Sequence, residues 1–397
     1  MYKNFKLLNY IIYVFLLFYL LIDTLTGMSL MTAGISFSIP YKLFVIVLMI
    51  IVIGLYNQTD FLIILSLLAW LVLSMTVMLL TESKTFSIAV QTCIKLISVI
   101  VFYLYFKSYL QFEKHSYKYL KNIILVNAFV FFANIFAGIL GFGYSTYGYG
   151  VGIKGFFFAG NEIFLILLAI TFLLIKNKSK RFRIVVGCIA LLFSILIGTK
   201  TAMLALLILL LVNAYKNLNK VWKILVIILI PVLILGFIYL FNTVLANLPI
   251  FSTIIYNFER NKKVTGSIVG ALLSGRIDFL NNNLNYFNQQ TDLLHSLFGG
   301  NSYYNDKNVE IDFFDALILN GGVMAVIILC FYIFLLYKSV KKKDITLIAM
   351  NFAVFLISFT AGHIWANLTG GIFYIIANLV PEIFAKLKIK RIQLYVI

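Results

Sequence analysis

The chain has 397 residues, of which 62% are apolar and only 12% charged, where a soluble domain averages about half and about a quarter. Continuous apolar runs of membrane-spanning length then exclude a soluble enzyme, a secreted disulfide domain and a disordered nucleic-acid tail as descriptions of the whole. The formal charge of +18 has to be tested against membrane topology before nucleic acid is considered.

Twelve apolar segments follow one another, at roughly 7–25, 39–56, 61–80, 88–106, 123–143, 159–175, 182–198, 200–215, 224–243, 311–337, 345–361 and 370–385. Each is near the length at which a helix crosses about 30 Å of hydrocarbon. Helices are expected because no alternating strand pattern is present and lipid does not tolerate unpaired backbone. The first segment has a weak basic flank and no small-residue cleavage site, so it reads as a first span rather than a signal peptide.

Lysine and arginine gather in alternate connections: Lys3 and Lys6, Lys107–Lys121, Lys176–Arg183, Lys216–Lys223, Lys338–Lys343 and Lys386–Arg391. Under the positive-inside bias these are cytoplasmic, as are both termini, and they meet anionic membrane lipid. The expected organisation is spans over 1–243, a large outer loop over 244–310, and spans with a basic tail over 311–397. The outer loop carries five basic and five acidic residues, so the large net charge carries no message about nucleic acid.

Polar residues that break the apolar pattern are the functional candidates. Asp23 lies near the end of the first span, and Gln91 and Lys95 face the bundle interior from the fourth. A Gly/Tyr-rich outer stretch, GFGYSTYGYGVGIKG, offers Tyr147 and Tyr149 for stacking on sugars, or as an interfacial aromatic belt. Asn161 and Glu162 start the next span. Gly198-Thr199-Lys200-Thr201 is a tight turn opening a helix, where Lys200 and helix-start amides suit an anion, unless the lysine simply snorkels to headgroups.

Within the outer loop, short helices are expected near 245–250 and 268–273, with Ser274-Gly275-Arg276 starting another. Arg276 presents a planar fork for phosphate or carboxylate; the alternative is a local pair with Asp278 or Asp292. Arg260, Lys262 and Lys263 read as a solvated or headgroup-facing cluster. Gly299-Gly300 forces a turn. Glu310, Asp312 and Asp315 gather at the entrance to the tenth span, where carboxylates are costly unless solvated, paired or functional. Asp312 and Asp315 can share a helical face, while Glu310 is placed to point back into a cavity. Any one of them suits a general base, or simple capping. His363 in AGHIWANLTGG binds substrate or caps a helix.

Cys93, Cys188 and Cys330 fall within helices and read as small apolar fillers. No metal-ligand spacing, P-loop, dinucleotide fingerprint or nucleophile elbow is present, so no metal or cofactor is expected.

In this order, LLFSILIGTKTAMLALLILLLV, SGRIDF and LFGGNSYYNDKNVEIDFFDALILNGGVMAVII resemble the small-residue turn, the arginine-bearing segment and the glycine-rich approach to a span of bacterial O-antigen ligases and Wzy-type polysaccharide polymerases. The resemblance implies an all-α, GT-C-like helical glycosyltransferase. It would join undecaprenyl-diphosphate-linked oligosaccharides with inversion at the outer face of the bacterial cytoplasmic membrane. Arg276 and Lys200 would hold the diphosphate, and Glu310 or Asp312 would activate the acceptor. A flippase and a chain-length regulator would be partners. Many ligases carry a histidine where this chain has VEIDF, which favours a polymerase over a ligase. A flippase or exporter remains the alternative of another class, although internal repeats and broken helices are not evident in the sequence.

Overall fold

The computed structural model describes residues 2–81, 83–113, 115–146, 152–157, 160–176, 178–216, 218–219, 249–290 and 292–380. Among them the chain is a polytopic, mostly helical protein. Helices α1 (Tyr2–Leu17), α2 (Tyr19–Thr32), α3 (Ser38–Tyr56), α4 (Gln58–Leu80), α5 (Phe86–Phe112) and α6 (Ser116–Ile139) come first. A small antiparallel hairpin, β1 (Tyr144–Ser145) with β2 (Ile153–Gly155), precedes α7 (Gly160–Ile175), α8 (Lys180–Ile197) and α9 (Lys200–Lys216). Four helices occupy the long loop: α10 (Pro249–Thr265), α11 (Ile268–Leu272), α12 (Arg276–Gln290) and α13 (Leu293–Phe298). The chain then returns through α14 (Asp312–Lys341), α15 (Ile345–Ser358) and α16 (Leu368–Val380).

Among the described residues, five helices, α3, α4, α5, α6 and α14, are long and apolar enough to cross a membrane, and the bent pair α1–α2 makes up to six. Shorter apolar stretches at Ile163–Ile175, Met203–Lys216, Ile345–Ser358 and Leu368–Val380 pack among them. The expected ninth span, 224–243, lies outside the described residues. The loop helices are longer than the sequence suggested, since α10 runs on to Thr265 and α12 to Gln290.

Helix α5 is the pillar of the bundle. Every residue from Leu96 to Phe106 is buried, the state expected of a helix that is apolar all round. Tyr332, Trp365 and Tyr374 stack beside it in a column, with centroids 5.3 and 5.9 Å apart.

Two helices are broken, against the reading that none would be. α1 and α2 meet at Phe18 with a bend of 47°. No proline or glycine sits there. The freed backbone is satisfied from α6 instead: Leu20 N donates to Asn127 Oδ1 (2.9 Å), and Asn127 Nδ2 donates to Leu16 O (2.8 Å). In hydrocarbon an unpaired peptide group costs too much to be left alone, so Asn127 makes the break tolerable.

The second break is in α14 at Gly321, whose φ of 77° and ψ of 168° interrupt the helix. There Gly300 N donates to Leu319 O (2.8 Å) and Asn301 N to Ile318 O (3.3 Å). A Cβ on Gly321 would lie 2.2 Å from Leu297 O, so only glycine permits this approach. Ser74 donates to Phe298 O (2.6 Å), and Phe298 stacks on Trp70 at 6.3 Å. Trp70 is ten residues from the end of α4, which at 1.5 Å per residue is about 15 Å. The turn expected at Gly299-Gly300 is therefore sunk between α4 and the broken α14, as a re-entrant segment.

Candidate functional site

The site forms where three chain segments meet above α5. The first is the extended stretch leading into α14. Val309 and Ile311 are buried and anchor it against Ile318, Leu280 and Phe359. Glu310 lies between these two anchors with φ of 58°, a conformation that costs a non-glycine residue of order 1–3 kcal/mol and clusters at functional sites. Its side chain is 40% exposed.

The second segment is the start of α12. Ser274 and Gly275, with φ of 56° and 77°, turn the chain so that Arg276 faces Glu310. Arg276 Nη2 donates to Glu310 Oε2 at 2.6 Å. Its Nη1 reaches Leu273 O at 3.5 Å, and its buried Nε has no hydrogen-bond partner. The expected local partners, Asp278 and Asp292, are not used. Asp292 instead caps α13 through His295 N (2.8 Å) and bonds the His295 ring, and these bonds hold its carboxyl below the usual range.

The third segment is the turn between α15 and α16. His363 has φ of 61°. The preceding Gly362 lies so close to Glu310 that a Cβ would sit 2.5 Å from its carbonyl oxygen. Glycine at this point lets the two strained residues share one wall. Burial depresses the His363 pKa below its usual 6.5; Arg276 and Lys95 push the same way and Glu310 opposes them. The imidazole is thus neutral near pH 7 and able to accept a proton.

Asp312 and Asp315 hold this arrangement together. Ile364 N donates to both oxygens of Asp312 (3.2 and 3.0 Å) and Trp365 N to Oδ2 (3.1 Å). Asp315 Oδ1 accepts from Val309 N at 2.9 Å, and Tyr303 also bonds Asp315. Burial, with the Asp315 charge beside it, raises the Tyr303 phenol above its ordinary value. The expected shared face of Asp312 and Asp315 is therefore spent on clamping backbone. Asp312, a candidate base from the sequence, has both oxygens occupied by amides.

Below these residues lies a cavity of about 380 Å³, lined by Thr92 and Lys95 of α5, Tyr303, Asp312, Asp315, His363 and Trp365 among others. Glu310 is not part of its lining; it closes onto Arg276 instead of pointing into the cavity. Glu310, Arg276, Asp312 and His363 thus converge from separate parts of the sequence. Lys200 begins α9, but its side chain is outside the described residues, as are those of Asn161 and Glu162 at the start of α7. Tyr147 and Tyr149 also lie outside them. Asp315 stood among the carboxylate candidates, whereas Tyr303 and Thr92 were not singled out as site residues. Lys95 was noted only as facing inward; a lysine within an apolar span is itself the signal.

No family model matches the chain, and no curated protein or solved structure is similar enough to be matched to it. Function rests on the geometry and on the motif resemblance.

Proposed function

We propose that the protein is a membrane glycosyltransferase of the Wzy-type polysaccharide polymerase kind, with twelve spans, both termini cytoplasmic and the 244–310 loop outside. It joins undecaprenyl-diphosphate-linked oligosaccharides. The observation that carries the reading is the meeting of a neutral histidine, a carboxylate and a guanidinium at the mouth of a polar cavity above a membrane bundle. Substrates with sugar hydroxyls at one end and a diphosphate on a lipid at the other call for these groups.

In this reading an acceptor hydroxyl attacks the anomeric carbon of the donor from the face opposite the diphosphate. The new C–O bond forms as the bond to the diphosphate oxygen breaks, and the configuration inverts. The hydroxyl proton passes to His363 Nε2 or Nδ1, whichever faces the acceptor, and Glu310 stabilises the resulting imidazolium. The histidine that the VEIDF stretch lacks is supplied from the turn after α15. Arg276 leaves Glu310 to meet the negative charge that develops on the departing diphosphate. The Arg276→Ala variant, present in the membrane at normal level, is expected to accumulate single lipid-linked repeat units in place of long polymer. Wild-type chain length in that variant sinks the proposal.

One specific observation favours a second reading. Broken helices beside a polar cavity are the architecture of secondary transporters; α14, broken at Gly321, lines the cavity with Asp312, Asp315 and Leu319, and α1–α2 supplies a second break elsewhere in the bundle. A flippase or exporter predicts repeat units trapped on the cytoplasmic leaflet when the gene is lost; a polymerase, or a ligase-like transferase, predicts them on the outer leaflet.

A further inference from the structure

We infer that Lys95 is the second cation of the diphosphate site, receiving the phosphate oxygens that enter the cavity beneath Arg276. The inference rests on the glycosyltransferase reading and deepens it by assigning the floor of the site to α5, in addition to the loop residues.

Lys95 stands nine residues into α5, about 13 Å along the axis, just above the stretch in which every residue is buried. It lines the cavity together with Thr92, one turn earlier. An ammonium at that depth is retained when it is paired or serves a ligand. Elsewhere in the described bundle, lysines nearer the helix ends are paired: Lys42 with Asp23 at 2.6 Å, Lys107 with Asp60 at 3.0 Å, and Lys176 with Asp344. Lys95 forms no ion pair among the described residues. Three carboxylates line its cavity: Asp312 is committed to the amides of Ile364 and Trp365, Asp315 to Val309 N and Tyr303, and the exposed Asp306 forms no ion pair with Lys95 among the described residues. Glu310 is held by Arg276. One cation is therefore left without a carboxylate contact, in a space large enough for a group the size of a diphosphate.

Lys95 shares the cavity wall with His363, and Arg276 binds the Glu310 that packs against Gly362, so both cations lie near the same imidazole. A diphosphate held between them would place its sugar-bearing oxygen beside that ring. Arg276 brings a directional fork at the rim, while Lys95 is a point charge on a flexible stem at the floor. Lys200, the cation first expected in this role, is not needed for the arrangement.

The test uses the full chain in lipid nanodiscs and follows thermal stability as undecaprenyl diphosphate is added, with undecaprenyl monophosphate, inorganic pyrophosphate and phosphatidylglycerol as comparison probes. Wild type is expected to gain several degrees with the diphosphate lipid. Lys95→Gln and Lys95→Ala are expected to lose that gain, and Lys95→Arg to keep at least half of it. Because removing a lone charge from a membrane helix relieves a cost, the Gln and Ala variants should fold, as size-exclusion profiles and unliganded melting would report. A full gain in Lys95→Gln overturns the inference, and so does a wild type that responds to no diphosphate or responds equally to phosphatidylglycerol. Lys95-dependent stabilisation by pyrophosphate, without any response to the polyprenyl lipid, upholds an anion site at Lys95 and defeats the lipid-carrier reading.

Discussion

Two ionic clusters sit at the loop end of the bundle and treat buried charge in opposite ways. At the first, Asp23 binds Lys42 at 2.6 Å, Ser38 bonds the same carboxylate oxygen, and Lys42 also donates to Thr369 at 2.5 Å. The ammonium lies over the Tyr19 ring at 5.4 Å. Both side chains are almost fully enclosed, and the cluster ties α2, α3 and α16 together. At the second, strained backbone at Glu310 and His363 surrounds a cavity with an uncommitted ammonium on its floor. The first cluster pairs its two charges with each other, although the buried Asp23 Oδ2 has no hydrogen-bond partner. The second keeps charge and shape in reserve, which is what a binding site requires.

Substitutions can break or sharpen this contrast. The largest effect is expected at His363. Replacement by Gln removes the proton acceptor, and general-base catalysis contributes typically about 10²–10⁴-fold; polymer formed per minute from purified lipid-linked repeat units should fall by that range while melting temperature holds. Arg276→Ala comes next, at about 10²–10³-fold, the usual loss for one donor aimed at developing charge.

Lys42→Met should behave differently. It strands Asp23 and is expected to cost about 3–5 kcal/mol of stability, seen as a lower denaturation midpoint, with the activity of the surviving folded fraction near normal. If Lys42→Met instead abolishes turnover at unchanged stability, the division between the two clusters is wrong.

A finer effect concerns pH. In the proposed mechanism the neutral imidazole takes the proton, so activity should be level above the depressed His363 pKa and fall as acid protonates the ring. The midpoint should lie below the ordinary histidine value of about 6.5. Arg276 and Lys95 lower that pKa, so removing either should move the acid limb to higher pH; rate–pH profiles of the residual activity of Lys95→Gln would show it. Smallest of all, Tyr303→Phe deletes one hydrogen bond to Asp315 and should cost about 1 kcal/mol of stability, with a modest change in rate.

Much of the bundle was legible because membrane helices announce themselves by length and basic flanks. The break at Phe18 was not, since its enabling partner is Asn127, more than a hundred residues away in sequence. The break at Gly321 left a trace in Asn320-Gly321-Gly322, but its cause, the insertion of Gly299–Asn301, is a tertiary event. At the site, Arg276, Glu310 and His363 stood out singly as polar exceptions. Their meeting was hidden because it depends on positive φ at Ser274, Glu310 and His363, and neither Ser nor Glu is among the residue types enriched in that conformation. At Asp312 a sequence shows the carboxylate but not the amides of Ile364 and Trp365 that bond it.

The clamp between Asp312 and the amides of Ile364 and Trp365 also sets a timetable for biogenesis. These partners are 52 and 53 residues apart. At about 5–20 residues per second of synthesis, the ribosome needs roughly 3–10 s to deliver the amides after the aspartate has emerged. During that interval Glu310 lacks the Gly362 wall and His363 does not yet exist. The nascent protein therefore carries no assembled candidate site until its final helices are threaded into the bilayer, and chains released before residue 363 should lack the proposed activity however well their earlier helices insert.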